Sequence, residues 1–393
     1  MRHPRRAIRA GSYNLWVLSI LISFAVSLAV TLLVIRSVKK HARFSLDNDL
    51  SGPQKFHARA VPRVGGIGIV VGLLGAMGVL WFVQNDVARV GLVLLACGLP
   101  AFGAGVIEDL TKRVSPRWRL LATMLSAALT MALLGAIITR TDIPGLDWVA
   151  SFTVGGAALT LLAVAGIANS VNIIDGFNGL ASMCVMIILG AIAYVAFQVG
   201  DPLVGTLALA GIGAVLGFFV WNFPGGLIFL GDGGAYFLGF YVAEVSILLL
   251  VRNPEVSPLF PLLACIYPVF ETLFSIYRRR FLRATPPHMP DGIHLHSLVY
   301  RRVMRWAVGD KSAKALTRRN SMTSPVLWAL CMASIMPALL FWGNSGAIAV
   351  FLLLFGLVYV VLYWRIVRFR SPRLLRILGS RPVPLDAGDN RGT

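Results

Sequence analysis

Apolar runs of about twenty residues recur along the whole chain, and they constrain its fold more than any other feature. About twenty helical residues are needed to cross the hydrocarbon core of a bilayer. Runs such as residues 92–107 lack the polar face of a helix on a soluble core. With 57% hydrophobic and 13% charged residues, the sequence predicts an all-α polytopic membrane protein.

We assign eleven candidate spans within a single membrane domain, followed by a basic and partly disordered tail at residues 365–393. The spans cover approximately residues 14–35, 65–83, 87–107, 119–138, 149–167, 180–199, 203–221, 233–251, 258–277, 324–342 and 346–364.

Positive charge is concentrated in alternate connections between these spans. Segments 36–64, 108–119, 278–323 and 365–393 hold 29 of the 36 Lys and Arg residues. By the positive-inside rule these segments are cytoplasmic, which places the C-terminus inside. The four arginines before the first span are then the exception, because they lie outside. The four cysteines fall in apolar runs and indicate neither a disulfide framework nor a zinc site.

A polar segment, NSVNIIDGFNGL at residues 169–180, lies between two long apolar runs. Asn169 and Asn172 supply amides, Asp175 supplies a carboxylate, and Gly176 and Gly179 allow a tight turn before the next helix. We interpret this segment as one wall of an active site, whose other walls should be polar segments on the same face of the membrane.

Two further acidic clusters fall on that face under the predicted topology. Glu108 and Asp109 end a span and precede Lys112, a pattern that suits a divalent metal beside phosphate oxygens. A charged helix end explains the cations equally well, but it does not explain the acids. Asp232, in FLGDGGAYFLGF, opens another span, where it either caps a helix or holds Mg²⁺ while backbone N–H groups face a diphosphate.

Two basic segments complete the set. His294 and His296 lie two residues apart, on one side of an extended segment, and phosphate contact is favoured over zinc because the loop has no cysteine. In the first loop, Lys55, His57 and Arg63 precede a glycine-rich stretch that is either a phosphate cradle or a tightly packed helix start. A further acid within a span, Glu271, has no assigned role.

Five of these motifs, in order over roughly residues 50–305, resemble the polyprenyl-phosphate N-acetylhexosamine-1-phosphate transferases. These are the WecA-like and MraY-like membrane enzymes of glycosyltransferase family 4. The motifs are PRVGGIGI, GVIEDLTKRVSP, NSVNIIDGFNGLA, NFPGGLIFLGDGGAYFLGF and DGIHLHSLVYRR. The HLH sequence is closer to the WecA-like branch.

The resemblance implies transfer of a sugar 1-phosphate, such as N-acetylglucosamine 1-phosphate, from a UDP-sugar to polyprenyl (undecaprenyl) phosphate. UMP is released at the cytoplasmic face of a bacterial inner membrane, with Mg²⁺ (or Mn²⁺) as cofactor and without nucleic acid as a partner. This is the initiating membrane step of cell-envelope polysaccharide synthesis.

Residue roles follow from the same resemblance. It makes Asp232 the Mg²⁺ ligand and gives Asp109 a role at the acceptor phosphate. Glu108, Asn172 and Asp175 support the metal or nucleotide, and His294 and His296 contact the diphosphate. Lys55, His57, Arg63, Lys112 and Asn169 complete the substrate-binding set.

Two positions depart from the family pattern, because Glu108 and Asn178 stand where aspartates are usual. Asn178 carries no charge, so we give it no metal role. The sequence argues against two other functions. A prenyltransferase of the aromatic-acceptor type needs a second aspartate-rich motif that the sequence lacks, and a secondary transporter would show a repeat between halves that we do not find.

Overall fold

The computed structural model describes residues 10–40, 61–283, 293–304 and 312–368, and every regular element in these ranges is a helix. The all-α prediction is therefore confirmed. The helices are α1 (Ala10–Lys40), α2 (Gly66–Val83), α3 (Asn85–Cys97), α4 (Leu99–Thr111), α5 (Pro116–Leu134), α6 (Leu146–Ala150), α7 (Thr153–Ile174), α8 (Leu180–Val199), α9 (Pro202–Asn222), α10 (Gly231–Arg252), α11 (Leu259–Ala264), α12 (Ile266–Tyr277), α13 (Leu295–Leu298), α14 (Ala313–Leu340) and α15 (Ser345–Val367). Two π-helical segments, Arg278–Arg283 and Val299–Met304, follow α12 and α13.

Within the described ranges, nine helices are long and apolar enough to cross a membrane, or ten if α3 and α4 form one bent span. These correspond to ten of the predicted spans. The predicted total of eleven stays a prediction, because residues 258–277 form two short helices, α11 and α12.

Proline explains both interrupted spans. Helices α3 and α4 meet at Gly98 with a bend of 43°, and Pro100 in the first turn of α4 has no N–H to continue the preceding helix. Helices α11 and α12 meet at Cys265, and Pro268 lies in the first turn of α12. The second break directs α12 toward the segment that carries His294, as described below.

Helix α10 lies at the centre of the bundle. It packs against α2, α4, α5, α7, α8 and α9, and 89% of the residues in its apolar membrane-spanning stretch are buried. At about 1.5 Å per residue its 22 residues extend about 33 Å, so its two ends lie at opposite membrane faces. Asp232 is in its first turn and Arg252 in its last.

Glycines allow the backbones around α10 to approach closely. A Cβ added at Gly66 of α2 would lie 2.5 Å from the Cα of Gly234, and one at Gly105 of α4 would lie 2.5 Å from the Cα of Gly233. Small residues at helix crossings serve this purpose in membranes, where packing rather than water exclusion holds helices together. The glycine-rich start of α2 is thus tightly packed, and the starts of α2 and α10 meet the end of α4.

We expect Gly66→Ala to destabilise the fold, because its methyl group would overlap the Gly234 backbone. Overpacking of this kind costs about 1–3 kcal/mol. Thermal unfolding of the purified protein in detergent would measure the loss as a lower Tm.

Gly78→Ala is the matched control on the same helix, since nothing lies within 4 Å of an added Cβ there. It should leave the Tm unchanged or raise it slightly, because alanine favours the helix. Equal Tm values for the two variants would contradict the close packing of α2 against α10.

Candidate active site

Asp109 and Asp232 meet where α4 ends and α10 begins. The backbone N–H of Gly233 donates to Asp109 Oδ2 at 3.0 Å, while Asp109 Oδ1 is buried and accepts no hydrogen bond. Gly231, just before Asp232, has a φ of +76°, and a Cβ there would lie 2.6 Å from Asp109 Oδ2. A side chain at position 231 would therefore both strain the turn and displace the carboxylate.

Two arginines and an amide surround these carboxylates. Arg119 of α5 forms an ion pair with Asp232 Oδ2, and Asn172 Nδ2 donates to Asp232 Oδ1 at 2.9 Å. Arg63, just before α2, has its Nε 3.7 Å from Asp109 Oδ1 and an Nη atom 3.9 Å from Asp232 Oδ1. The two guanidinium groups reduce the repulsion between acids that the fold brings together.

A third carboxylate, Asp175, follows the end of α7 and interacts electrostatically with the same groups. Burial raises its pKa well above the ordinary value; the guanidinium of Arg63 opposes this rise, and the carboxylates of Asp232 and Asp109 add to it. Three acids and two arginines leave this cluster with one excess negative charge when all are ionised. The arrangement is suited to binding a cation.

The turn that carries Asp175 is fixed by a network below it. The N–H of Asn178 donates to Asn320 Oδ1 at 2.9 Å, and the N–H of Gly179 donates to Asn222 Oδ1 at 2.6 Å. Ser324 Oγ donates to the carbonyl oxygen of Asn178 at 2.6 Å. The Asn178 side chain is buried and its Nδ2 donates to Ser321 Oγ of α14 at 3.2 Å, so the departure from aspartate falls on a residue with a structural role.

Beside this turn lie His294 and His296. Their rings stack with centroids 5.1 Å apart, and the His296 ring meets Phe177 edge-on at 5.5 Å. His294 Nδ1 lies 3.1 Å from Glu271 Oε1. His296 is the second residue of the short helix α13 and not part of the predicted extended segment. The basic stretch after it begins with the π-helical segment that ends at Met304.

Asn169 lies one turn before Asn172 on α7 and reaches the cluster through an aromatic side chain. The Tyr236 hydroxyl donates to Asn169 Oδ1 at 3.2 Å, and the Arg119 guanidinium lies over the Tyr236 ring at 5.4 Å. The sequence alone does not single out Tyr236 or Arg119 as site residues. An aromatic residue four positions after Asp232, on the same helix face, was the available signal.

Other predicted residues lie apart from this cluster. Glu108 Oε2 accepts a hydrogen bond from the N–H of Val114 at 2.7 Å, which closes the turn after α4. Lys112, in that turn, is exposed and has a left-handed backbone with a φ of 57°. Lys55 and His57 lie outside the described residues.

The donor groups determine which ligand the cluster fits. In the described part of the chain, no three His, Cys, Asp or Glu side chains are arranged to hold a metal ion by themselves. Mg²⁺ does not need such a cage, because it is usually held by one or two carboxylates together with water and substrate phosphates. The buried Oδ1 of Asp109, which accepts no hydrogen bond and lies beside Asp232, fits that mode of binding.

Comparison with known proteins agrees with the motifs. Residues 91–250 match the family described as glycosyl transferase family 4. A probable undecaprenyl-phosphate N-acetylglucosaminyl 1-phosphate transferase of Bacillus subtilis is 31% identical over 286 residues, covering 71% of this chain and 77% of the relative.

Two further relatives represent both branches of the resemblance. A phospho-N-acetylmuramoyl-pentapeptide-transferase of Geobacillus kaustophilus is 28% identical over 318 residues, covering 75% of this chain and 94% of that protein. An undecaprenyl-phosphate alpha-N-acetylglucosaminyl 1-phosphate transferase of Thermotoga maritima is 27% identical over 258 residues, covering 66% and 74%. The chain belongs to glycosyl transferase family 4 and is a multi-pass membrane transferase, which confirms the predicted family.

The crowding of acids yields a prediction about stability. In metal-free buffer with EDTA, Asp175→Asn should raise the Tm by about 2 °C, because it removes a carboxylate that burial and two neighbouring acids disfavour. Because the pKa of Asp175 is higher in the folded protein than in the unfolded chain, ionisation of Asp175 destabilises the fold. The full destabilisation applies above the folded pKa, and it disappears as the pH falls below the unfolded pKa. The gain should therefore be larger at about pH 8 than at about pH 5.

Asp201→Asn serves as the control with the opposite sign. Asp201 accepts a hydrogen bond from Arg252 Nε at 2.7 Å and caps α9 through the N–H of Leu203, so its loss should lower the Tm. A fall in Tm for Asp175→Asn comparable to that of Asp201→Asn would show that Asp175 stabilises the fold, and would contradict the prediction.

Proposed function

We propose that this chain transfers an N-acetylhexosamine 1-phosphate, with N-acetylglucosamine 1-phosphate as the first candidate, from a UDP-sugar to polyprenyl phosphate. The products are UMP and a polyprenyl-diphosphate sugar. The printed names of two relatives, from Bacillus subtilis and Thermotoga maritima, support the donor sugar and the lipid acceptor. We assign the whole chain to one transferase domain.

One observation carries the proposal. The acids of three distant segments, Asp109, Asp175 and Asp232, come together with Arg63 and Arg119 at one end of the bundle. Catalysis of phosphoryl transfer mainly requires that the protein position two phosphates and balance their charge. Carboxylates for a divalent cation and guanidinium groups for phosphate oxygens supply both functions.

The same cluster supports a Mg²⁺ cofactor, for which Mn²⁺ could substitute. Asp232 and Asp109 would hold the ion, and Asn172 would support it by fixing Asp232. When bound, Mg²⁺ neutralises charge on the donor diphosphate and makes UMP a better leaving group. The protein's own contribution is the placement of these groups by the tight contact between α4 and α10.

We also assign Asp109 a role at the acceptor phosphate, in addition to its role in holding the ion. A phosphate monoester is already ionised near neutral pH, so the lipid phosphate can attack without losing a proton to a base. The N–H of Gly233 fixes one oxygen of Asp109, which directs the other toward the cluster. Arg63, with a third of its side chain exposed, is placed to attract the anionic headgroup from the membrane surface.

We place the site on the cytoplasmic face of a bacterial inner membrane. Exposed cations lie at the same end of the bundle as Asp232. They include Lys112 and Arg113 in the turn after α4, and Arg117 in the first turn of α5. The opposite end of α10 carries Arg252, which is paired with Asp201. Positive charge at this end of the bundle supports a cytoplasmic location for the site. Soluble UDP-sugars are available on that side of the membrane.

The direct test is UMP release by the purified protein with undecaprenyl phosphate and a panel of UDP-N-acetylhexosamines. We expect release only when the donor, the lipid phosphate and Mg²⁺ are all present. UMP formation without lipid phosphate, or no UMP from any donor while the protein remains folded, would contradict the proposal.

We expect Asp232→Asn to lower kcat by at least about 100-fold, because the site would lose a charge next to the cation. Asp86→Asn is the matched control, since Asp86 is an acid in the first turn of another helix, α3, and is exposed. It should retain near-normal kcat. Equal rates for Asp232→Asn and wild-type protein would remove Asp232 from the metal site.

Arg119→Ala should lower kcat/KM for the UDP-sugar by about 100-fold, because it removes the ion pair with Asp232 and a cation near the phosphates. Arg117→Ala changes an exposed arginine two residues earlier and should stay within about twofold of wild type. Similar losses in both variants would show that net positive charge, rather than the position of Arg119, is what matters.

A further inference from the structure

Glu271 of α12 is buried within the bundle and makes all of its hydrogen bonds with two other parts of the chain. Its Oε1 accepts from the N–H of Leu295 at 2.9 Å and lies 3.1 Å from His294 Nδ1. Its Oε2 accepts from the hydroxyl of Tyr359, on α15, at 2.7 Å. One carboxylate thus joins α12, α15 and the segment that carries His294 and His296, here called the histidine segment.

A second row of contacts, two helical turns further along the chain at the start of the π-helical segment Arg278–Arg283, repeats this connection. Arg278 donates to the carbonyl oxygen of Ile293 at 2.8 Å and to the Tyr363 hydroxyl at 2.8 Å. Tyr359 and Tyr363 are four residues apart and share one face of α15. The backbone on either side of His294 is therefore held by buried side chains from two helices.

This arrangement reaches the candidate active site through the stacked histidines. His294 stacks on His296, and His296 packs against Phe177 and next to Gly176, in the turn that begins at Asp175. Glu271, His294 and Tyr359 all lie outside the matched residues 91–250. The resemblance gives a role to His294 alone, and none to Glu271 or Tyr359.

Burial of a carboxylate costs free energy unless the group is paired and hydrogen-bonded, so the partners of Glu271 indicate its role. A hydrogen bond from Nδ1–H to a carboxylate fixes the ring orientation and leaves Nε2 as the atom that meets a ligand. The charged groups and phenols that interact with Glu271 are His294 and His296 from the histidine segment, Tyr267 from α12, and Tyr359 from α15. Of these, His294 and Tyr359 are hydrogen-bonded to it.

We propose that Glu271 is a positioning residue, which together with Tyr359 holds the His294 ring with Nδ1 protonated and Nε2 directed to the diphosphate of the nucleotide-sugar donor. This inference rests on the proposed function. It makes α15, the last described helix, part of the donor site through Tyr359. When the diphosphate binds, the carboxylate balances the positive charge of a ring that donates from both nitrogens.

The kinetic test compares Glu271→Gln with Glu244→Gln. Both replace a buried carboxylate in a helix of the bundle by an amide of the same size, but Glu244 is hydrogen-bonded to Thr130 of α5. We expect Glu271→Gln to raise the KM for the UDP-sugar and to lower kcat/KM by about 10-fold to 100-fold, the usual cost of losing the partner of a functional histidine. The KM for the lipid phosphate should not change, and Glu244→Gln should behave as wild type.

Two kinetic results would overturn the proposal. One is a wild-type KM for the UDP-sugar in Glu271→Gln. The other is an equal loss of activity and of Tm in both glutamine variants, which would indicate a structural role only.

The second test needs no activity and so separates this inference from the proposed function. In protein labelled with ¹⁵N-histidine, His294 is assigned by the signals lost in His294→Gln. We expect its Nδ1 to be protonated in wild type and to change in Glu271→Gln and in Tyr359→Phe. Tyr363→Phe removes a hydroxyl one turn away that contacts Arg278 and the Ile293 carbonyl instead of Glu271, and should change the signal less than Tyr359→Phe does.

An unprotonated Nδ1 in wild type, or a His294 signal that is the same in Glu271→Gln, would overturn the positioning role. If no donor yields UMP but the Nδ1 signal behaves as expected, then the proposed function fails while the contact itself is verified.

Discussion

Repulsion between carboxylates is the constraint around which the site is built. Asp109, Asp175 and Asp232 come from the ends of three helices, and within the described residues two guanidinium groups, of Arg63 and Arg119, lie among them. A fold selected for stability alone would not gather these acids. Their convergence is explained if a cation and two phosphate groups complete the charge balance during turnover.

The rest of the structure serves to hold these groups in place. Glycine contacts allow α2 and α4 to touch the start of α10, which fixes Asp109 against Asp232. The network around Asn178 fixes the turn of Asp175 against α14, and the Glu271 contacts fix the histidines from the other side. Small residues at the crossings and buried polar contacts at the helix ends thus act together.

The order of apolar spans predicted the helical fold and the single membrane face shared by Asp109, Asp175 and Asp232, because alternation along the chain decides the side of every loop. It could not choose among the cations after Asp109, since only packing shows that Arg119 reaches Asp232 while Lys112 stays exposed. Nor could it pair Glu271 with His294, 23 residues away, because the break before α12 sets that contact.

Mn²⁺ binding followed by electron paramagnetic resonance would show whether one divalent cation binds at the shared acids. We expect about one Mn²⁺ per chain in the presence of UMP, displaced by Mg²⁺ and lost in both Asp109→Asn and Asp232→Asn. Wild-type Mn²⁺ binding in both variants would mean that other residues hold the ion and that the shared acids are not the metal site.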